Sequence, residues 1–91
     1  MENKYLKVAT EVAELVADKQ LAYGDSFGNA GKVMRILYPQ GVPADKLDDA
    51  LCLVRIIDKC FRIANKKNAY EESPYRDIVG YAVLGAARDE R

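Results

Sequence analysis

The sequence predicts an all-α, compact four-helix domain. Three observations carry this. Apolar residues recur at helical spacing in four separate segments. Clusters of Gly, Pro, Asn, Asp and Ser separate those segments. No hairpin signal, internal repeat or low-complexity tract interrupts them. At 91 residues the chain forms one domain, residues 1–91. A chain of this size buries only about 60–65% of its unfolded surface, and oligomerisation is a common remedy.

The first helix is expected over residues 3–22. Tyr5, Val8, Val12, Leu15 and Lys19 lie near one stripe, flanked by Ala9, Ala13 and Val16. The stretch YGDSFGN, 23–29, breaks it: Gly24 can take positive φ, and Asp25 or Ser26 can cap the next helix. The second helix, 27–38, carries Phe27, Ala30, Val33, Met34 and Leu37 on one side. Pro39, Gly41 and Pro43 punctuate the connection that follows.

The third helix, 44–65, is the most apolar. Leu47, Ala50, Leu51, Val54, Ile57, Phe61 and Ala64 form one face, and Leu53, Ile56, Cys60 and Ile63 widen it. A helix apolar over most of its girth belongs at the centre of a bundle or at a subunit interface. The domain is therefore expected to self-associate through this helix. After a polar connection, Ser73–Pro74 reads as an N-cap followed by proline at the first helical position of a fourth helix, 74–88. Gly80 and Gly85 sit inside it, each costing about 0.8–1 kcal/mol relative to Ala. Their presence predicts close approach by another helix or a ligand.

Composition narrows the function classes. Fourteen Lys+Arg balance fourteen Asp+Glu, so a globally basic duplex nucleic-acid binder is not expected. The N-terminal MENKYLKVATE has no secretory pattern. The longest uncharged run, 78–87, is ten residues, too short to span a bilayer. Cys52 and Cys60, eight apart on one helix, would lie about 12 Å apart, beyond disulfide reach. They read as reduced core thiols of a cytoplasmic protein. The chain has no histidine and no cysteine pair at zinc spacing, which removes His-based acid–base catalysis and nearly all zinc chemistry.

Four clusters can carry chemistry. The first is a stripe of cations, Arg55, Lys59, Arg62 and Lys66, at spacings of four, three and four. It reads either as a phosphate-binding surface or as a solvated face paired with Asp58. Lys66 and its neighbour Lys67 read as surface charges at the helix end. The second is Tyr23, Gly24, Asp25 and Ser26: a turn offering a stacking ring, backbone N–H groups, a carboxylate and a hydroxyl, or simply a capping turn. The third is Asp77 with Tyr81, a ligand acceptor and stacking ring, or a carboxylate partnering Arg55 or Arg62. The fourth is Glu11 and Glu14, an E-x-x-E pair able to hold Mg²⁺, or ordinary surface charge.

In the order in which they occur, KQLAYGDSFGNAGKVMRIL, DDALCLVRIIDKCFRIAN and YRDIVGYAVLGA resemble small phage and prophage proteins known as nucleotide-modification-associated domains. The matching pieces are Tyr23–Gly24–Asp25–Ser26, then Arg55, Lys59 and Arg62, then Asp77, Gly80, Tyr81 and Ala82. The resemblance spans roughly 15–87. It implies an all-α fold, a location in the cytoplasm of a bacterial host, and a role in phage nucleotide metabolism or counter-defence.

Two activities follow from it. One is a distant likeness to the all-α MazG-like nucleoside triphosphate pyrophosphatases, whose E-x-x-E and later E-x-x-D hold Mg²⁺. Glu11 and Glu14 supply the first pair, and Asp58 and Asp77 are the candidates for the second. Asp77 has Pro74, and Asp58 has Arg55, where the other acid would stand. The other activity is a sponge that sequesters a cyclic or modified nucleotide signal without a metal cofactor. An incomplete carboxylate box beside an intact cation stripe ranks binding above hydrolysis. A protein-interaction module remains the third reading.

Overall fold

The computed structural model describes residues 3–66 and 72–90. They contain four α-helices and no strand. The helices are α1 (Lys4–Tyr23), α2 (Ser26–Leu37), α3 (Leu47–Ala64) and α4 (Pro74–Asp89). A 3₁₀ turn, Ala44–Lys46, leads into α3, so the third helix begins three residues later than expected.

Local chemistry explains each boundary. Asn3 caps α1: its side-chain oxygen accepts from the N–H groups of Tyr5 and Leu6, at 3.0 and 3.1 Å. Gly24 ends α1 in the left-handed region, φ 61°, and donates its N–H to the Gln20 carbonyl. The left-handed conformation at Gly24 favours glycine, and a Cβ there would also have to displace the exposed Asn65 side chain, 2.2 Å away. Asp25 caps α2, accepting from the Gly28 N–H at 3.1 Å. Ser73 caps α4 by accepting from the Arg76 N–H, with Pro74 at the first helical position.

α3 is the centre. It packs against α1, α2 and α4, which accounts for its wide apolar girth. α2 and α4 flank it and make little contact with each other, leaving a strip of α3 open between them. The C-terminal end of α1 is tied to the end of α3, where the Lys66 N–H bonds the Ala22 carbonyl at 3.1 Å. Ala22 is the one buried residue of α1.

Three expectations change here. The amphipathic stripe of α1 is not covered: Tyr5, Val8, Val12 and Leu15 are all exposed. Cys60 is exposed rather than a core thiol, because it lies on an uncovered edge of α3. Cys52 is half-buried, its sulfur 3.8 Å from the Tyr81 carbonyl, and both cysteines are free. Finally, no atom lies within 4 Å of a Cβ placed at Gly80 or Gly85. Within the chain neither glycine marks a close approach: Gly80 is exposed, and Gly85 lines an open concavity between α3 and α4. The stretch 67–71, which includes Lys67 and most of the polar connection, lies outside the described residues.

Candidate functional site

The cation stripe of α3 divides into two environments. At its C-terminal end, Arg62 is 1% exposed. Its guanidinium donates to the backbone carbonyl and the carboxylate of Glu72, stands 3.9 Å from Asp77, and lies over the Tyr23 ring at 5.9 Å. Burying a guanidinium is costly unless its donors are met. Glu72 accepts from both terminal nitrogens here, while the Tyr23 ring and the Asp77 carboxylate add a cation–ring contact and opposite charge. The expected phosphate contact is instead a structural cation that joins the turn after α1, the end of α3 and the start of α4. Tyr23 is the partner of this cation, half-buried against it.

Two turns earlier on the helix, Arg55 has a different setting. Its side chain is exposed, it has no ion-pair partner among the described residues, and its guanidinium lies 5.8 Å from the Tyr81 ring centre. Asp58, the expected partner of Arg55 or Arg62, is committed elsewhere: the buried Ser26 hydroxyl donates to it at 2.5 Å. This bond fixes the N-terminus of α2 to the middle of α3. Lys59 stands between the two settings, its ammonium 3.5 Å from the Asp77 carboxylate.

Ser26, Asp58, Arg55, Lys59 and Tyr81 meet in one cleft of about 490 Å³, together with Phe27, Ala30 and Val54. The volume falls in the usual range for small-ligand sites. α2 forms one wall, α3 the floor and α4 the other wall. The cleft exists because α2 and α4 both lean on α3 and barely touch each other. A second concavity of about 260 Å³ lies on the other side of Arg55 and Tyr81, between α3 and α4. The Arg88–Asp48 ion pair, at 2.6 Å, lies at its edge.

No protein-family model matches this sequence, and no curated protein or solved structure does. The residues themselves must carry the functional reading.

Of the residues singled out from the sequence, the structure brings Ser26, Arg55, Lys59 and Tyr81 together. It places Arg62, Tyr23 and Asp77 in the neighbouring closed cluster. Gly24 and Asp25 serve the helix junction: besides its cap, Asp25 accepts from the Gln20 side-chain amide at 2.7 Å. Glu11 and Glu14 lie on a shallow surface of α1 with Lys7 and Thr10. Among the described residues no three Asp, Glu, Cys or His side chains gather at metal-binding distance. The chain thus does not bring Glu11, Glu14, Asp58 and Asp77 together as one carboxylate box.

Sequence reasoning missed Phe27. Its place beside apolar neighbours predicts burial, yet it is 93% exposed at the mouth of the cleft.

Proposed function

We propose that the cleft between α2, α3 and α4 binds a phosphorylated, nucleotide-type ligand. The observation that carries this reading is the convergence of an exposed arginine with no ion pair among the described residues, a lysine and two aromatic rings on one concave surface. Arg55 is the phosphate contact: its planar fork matches two phosphate oxygens. Lys59 supplies a second positive charge from the cleft floor. Phe27 and Tyr81 supply faces for a base, and the Ser26–Asp58 pair presents an acceptor to a sugar hydroxyl or base amine. A charge-assisted hydrogen bond is worth about 1.5–3 kcal/mol. Two cations therefore carry a ligand from millimolar toward micromolar affinity before stacking is counted.

The resemblance to phage nucleotide-modification-associated domains supplies the ligand class. On that footing the protein sequesters a cyclic or modified nucleotide signal and releases it unchanged. The separation of Glu11 and Glu14 from the cleft favours binding over Mg²⁺-dependent hydrolysis.

The test is a thermal-shift screen of the purified chain with common nucleotides and cyclic oligonucleotides, with and without Mg²⁺. Any stabilising ligand is then recovered after denaturation and weighed by mass spectrometry. Stabilisation without Mg²⁺, recovery of intact ligand, and loss of the shift in Arg55→Ala are expected. If Arg55→Ala and Lys59→Ala leave every ligand shift unchanged, the cleft is not the site. Mg²⁺-dependent turnover abolished by Glu14→Ala would replace binding by hydrolysis.

A further inference from the structure

The longest helix carries its apolar stripe in solvent. Tyr5, Val8, Val12 and Leu15 follow steps of three, four and three along α1 and are between 48% and 76% exposed. That spacing is the seam of a two-helix coiled coil. The whole molecule shows the same surplus. A folded monomer of this mass has an accessible surface of about 5,300 Å², whereas this chain exposes 7296 Å². Its radius of gyration is 16.5 Å, against about 12 Å for a globular chain of this length.

We infer that α1 is the self-association surface, and that its occupant is the α1 of a second copy, antiparallel and related by a two-fold axis. The surplus is about 2,000 Å² per chain. The seam from Tyr5 to Leu15 is about 15 Å long on a helix about 10 Å wide, so pairing α1 covers part of that surplus and makes an interface at the small end of the range for stable dimers. This shifts the expected interface from α3, whose girth is largely occupied by helices of its own chain, to α1.

Charge sets the direction. Lys4, Glu11 and Asp18 recur every seven residues along one edge of the seam, while Ala9 and Val16 line the other. Parallel pairing sets the charged edge of one helix against the apolar edge of the other. Antiparallel pairing sets like edges together. Val8 then packs on Val12, Tyr5 on Leu15, and Lys4 faces Asp18 at both ends of the interface. Glu11 falls near its own copy at the axis, the one unfavourable contact of this register. The contact is isologous, so it closes at two copies.

Sedimentation equilibrium of the full chain tests this directly. A mass twice 10.2 kDa is expected at micromolar concentration. Val12→Glu is expected to give a monomer with unchanged helical circular dichroism, because Val12 lies on the exposed stripe of α1. Leu51→Glu, on the exposed edge of α3, is expected to leave the dimer intact. Lys4→Glu is expected to weaken the dimer by about three- to tenfold, since two rim pairs are lost. Adding Asp18→Lys is expected to restore it. A monomeric wild type overturns the inference. So does dissociation by Leu51→Glu but not Val12→Glu. Absence of rescue in the double charge swap overturns the antiparallel register.

Discussion

Arg55 and Arg62 sit seven residues apart on one face of α3, yet one end of that face is closed and the other open. Around Arg62, Tyr23 from the end of α1 and Glu72 and Asp77 from the start of α4 converge. Around Arg55, among the described residues, the Tyr81 ring makes a cation–ring contact but no carboxylate forms an ion pair, and the guanidinium lines a cleft. The lesson is that a periodic charge stripe has no single role. A cation becomes structural where other elements arrive with carboxylates and carbonyls, and it stays available where they do not. Lys59, between the two, takes part in both: it pairs with Asp77 and lines the cleft.

Substitutions break this contrast in a definite order of size. Arg62→Ala removes a fully buried side chain and its charge-assisted bonds, and is expected to cost about 2–4 kcal/mol of stability. In a chain of this length that lowers Tm by roughly 10–20 °C, read by thermal unfolding. Arg62→Met sharpens the result. It keeps most of the volume and returns Glu72 and Asp77 to partial hydration, so about half of that loss or less is expected.

Arg55→Ala should behave in the opposite way. Stability changes by about 0.5 kcal/mol or less, as at other exposed sites. Affinity for a phosphorylated ligand falls by about 1.5–3 kcal/mol, roughly ten- to 150-fold by calorimetry. Comparable stability losses at the two arginines would show that the contrast does not exist in solution.

Ser26→Ala removes the bond that ties α2 to α3 and takes a donor from the half-buried Asp58. A loss of about 1–2 kcal/mol in urea unfolding is expected. The smallest effect belongs to Glu72→Gln. The carboxylate is largely exposed, and the Glu72 carbonyl still accepts from Arg62. A change of about 0.5 kcal/mol or less is expected, with little dependence on salt. A loss above about 2 kcal/mol would mean that the ion pair, rather than the backbone contact, holds Arg62 in place.

Much of the fold is legible in the chain because its determinants are local. Asn3, Asp25 and Ser73 are capping residues at helix starts, and they cap. Gly24 is needed where α1 must end in a left-handed turn. The breadth of apolar residues on α3 marks it as central, and it is. The candidate site was legible only in part. Ser26, Arg55, Lys59 and Tyr81 were drawn from three segments, and they do meet. Arg62 and Tyr23 were grouped with them on the same criteria, yet they belong to the closed cluster. Phe27 looked like core and is exposed.

Helix limits, caps and the cation spacing follow from neighbours within a few residues, whose backbone hydrogen bonds and side-chain reach are set by helical geometry. The sequence by itself therefore determined four helices, their order and the face on which Arg55, Lys59 and Arg62 stand. Whether each of those side chains is buried or open depends on residues tens of positions away. Tyr23 and Glu72 reach Arg62 only once α1 and α4 have docked on α3. The gap over Arg55 exists only because α2 and α4 lean on α3 without closing on each other. The tertiary structure alone decided which cation is spent on the fold and which is left exposed beside the cleft, because desolvation and pairing are properties of the assembled surroundings.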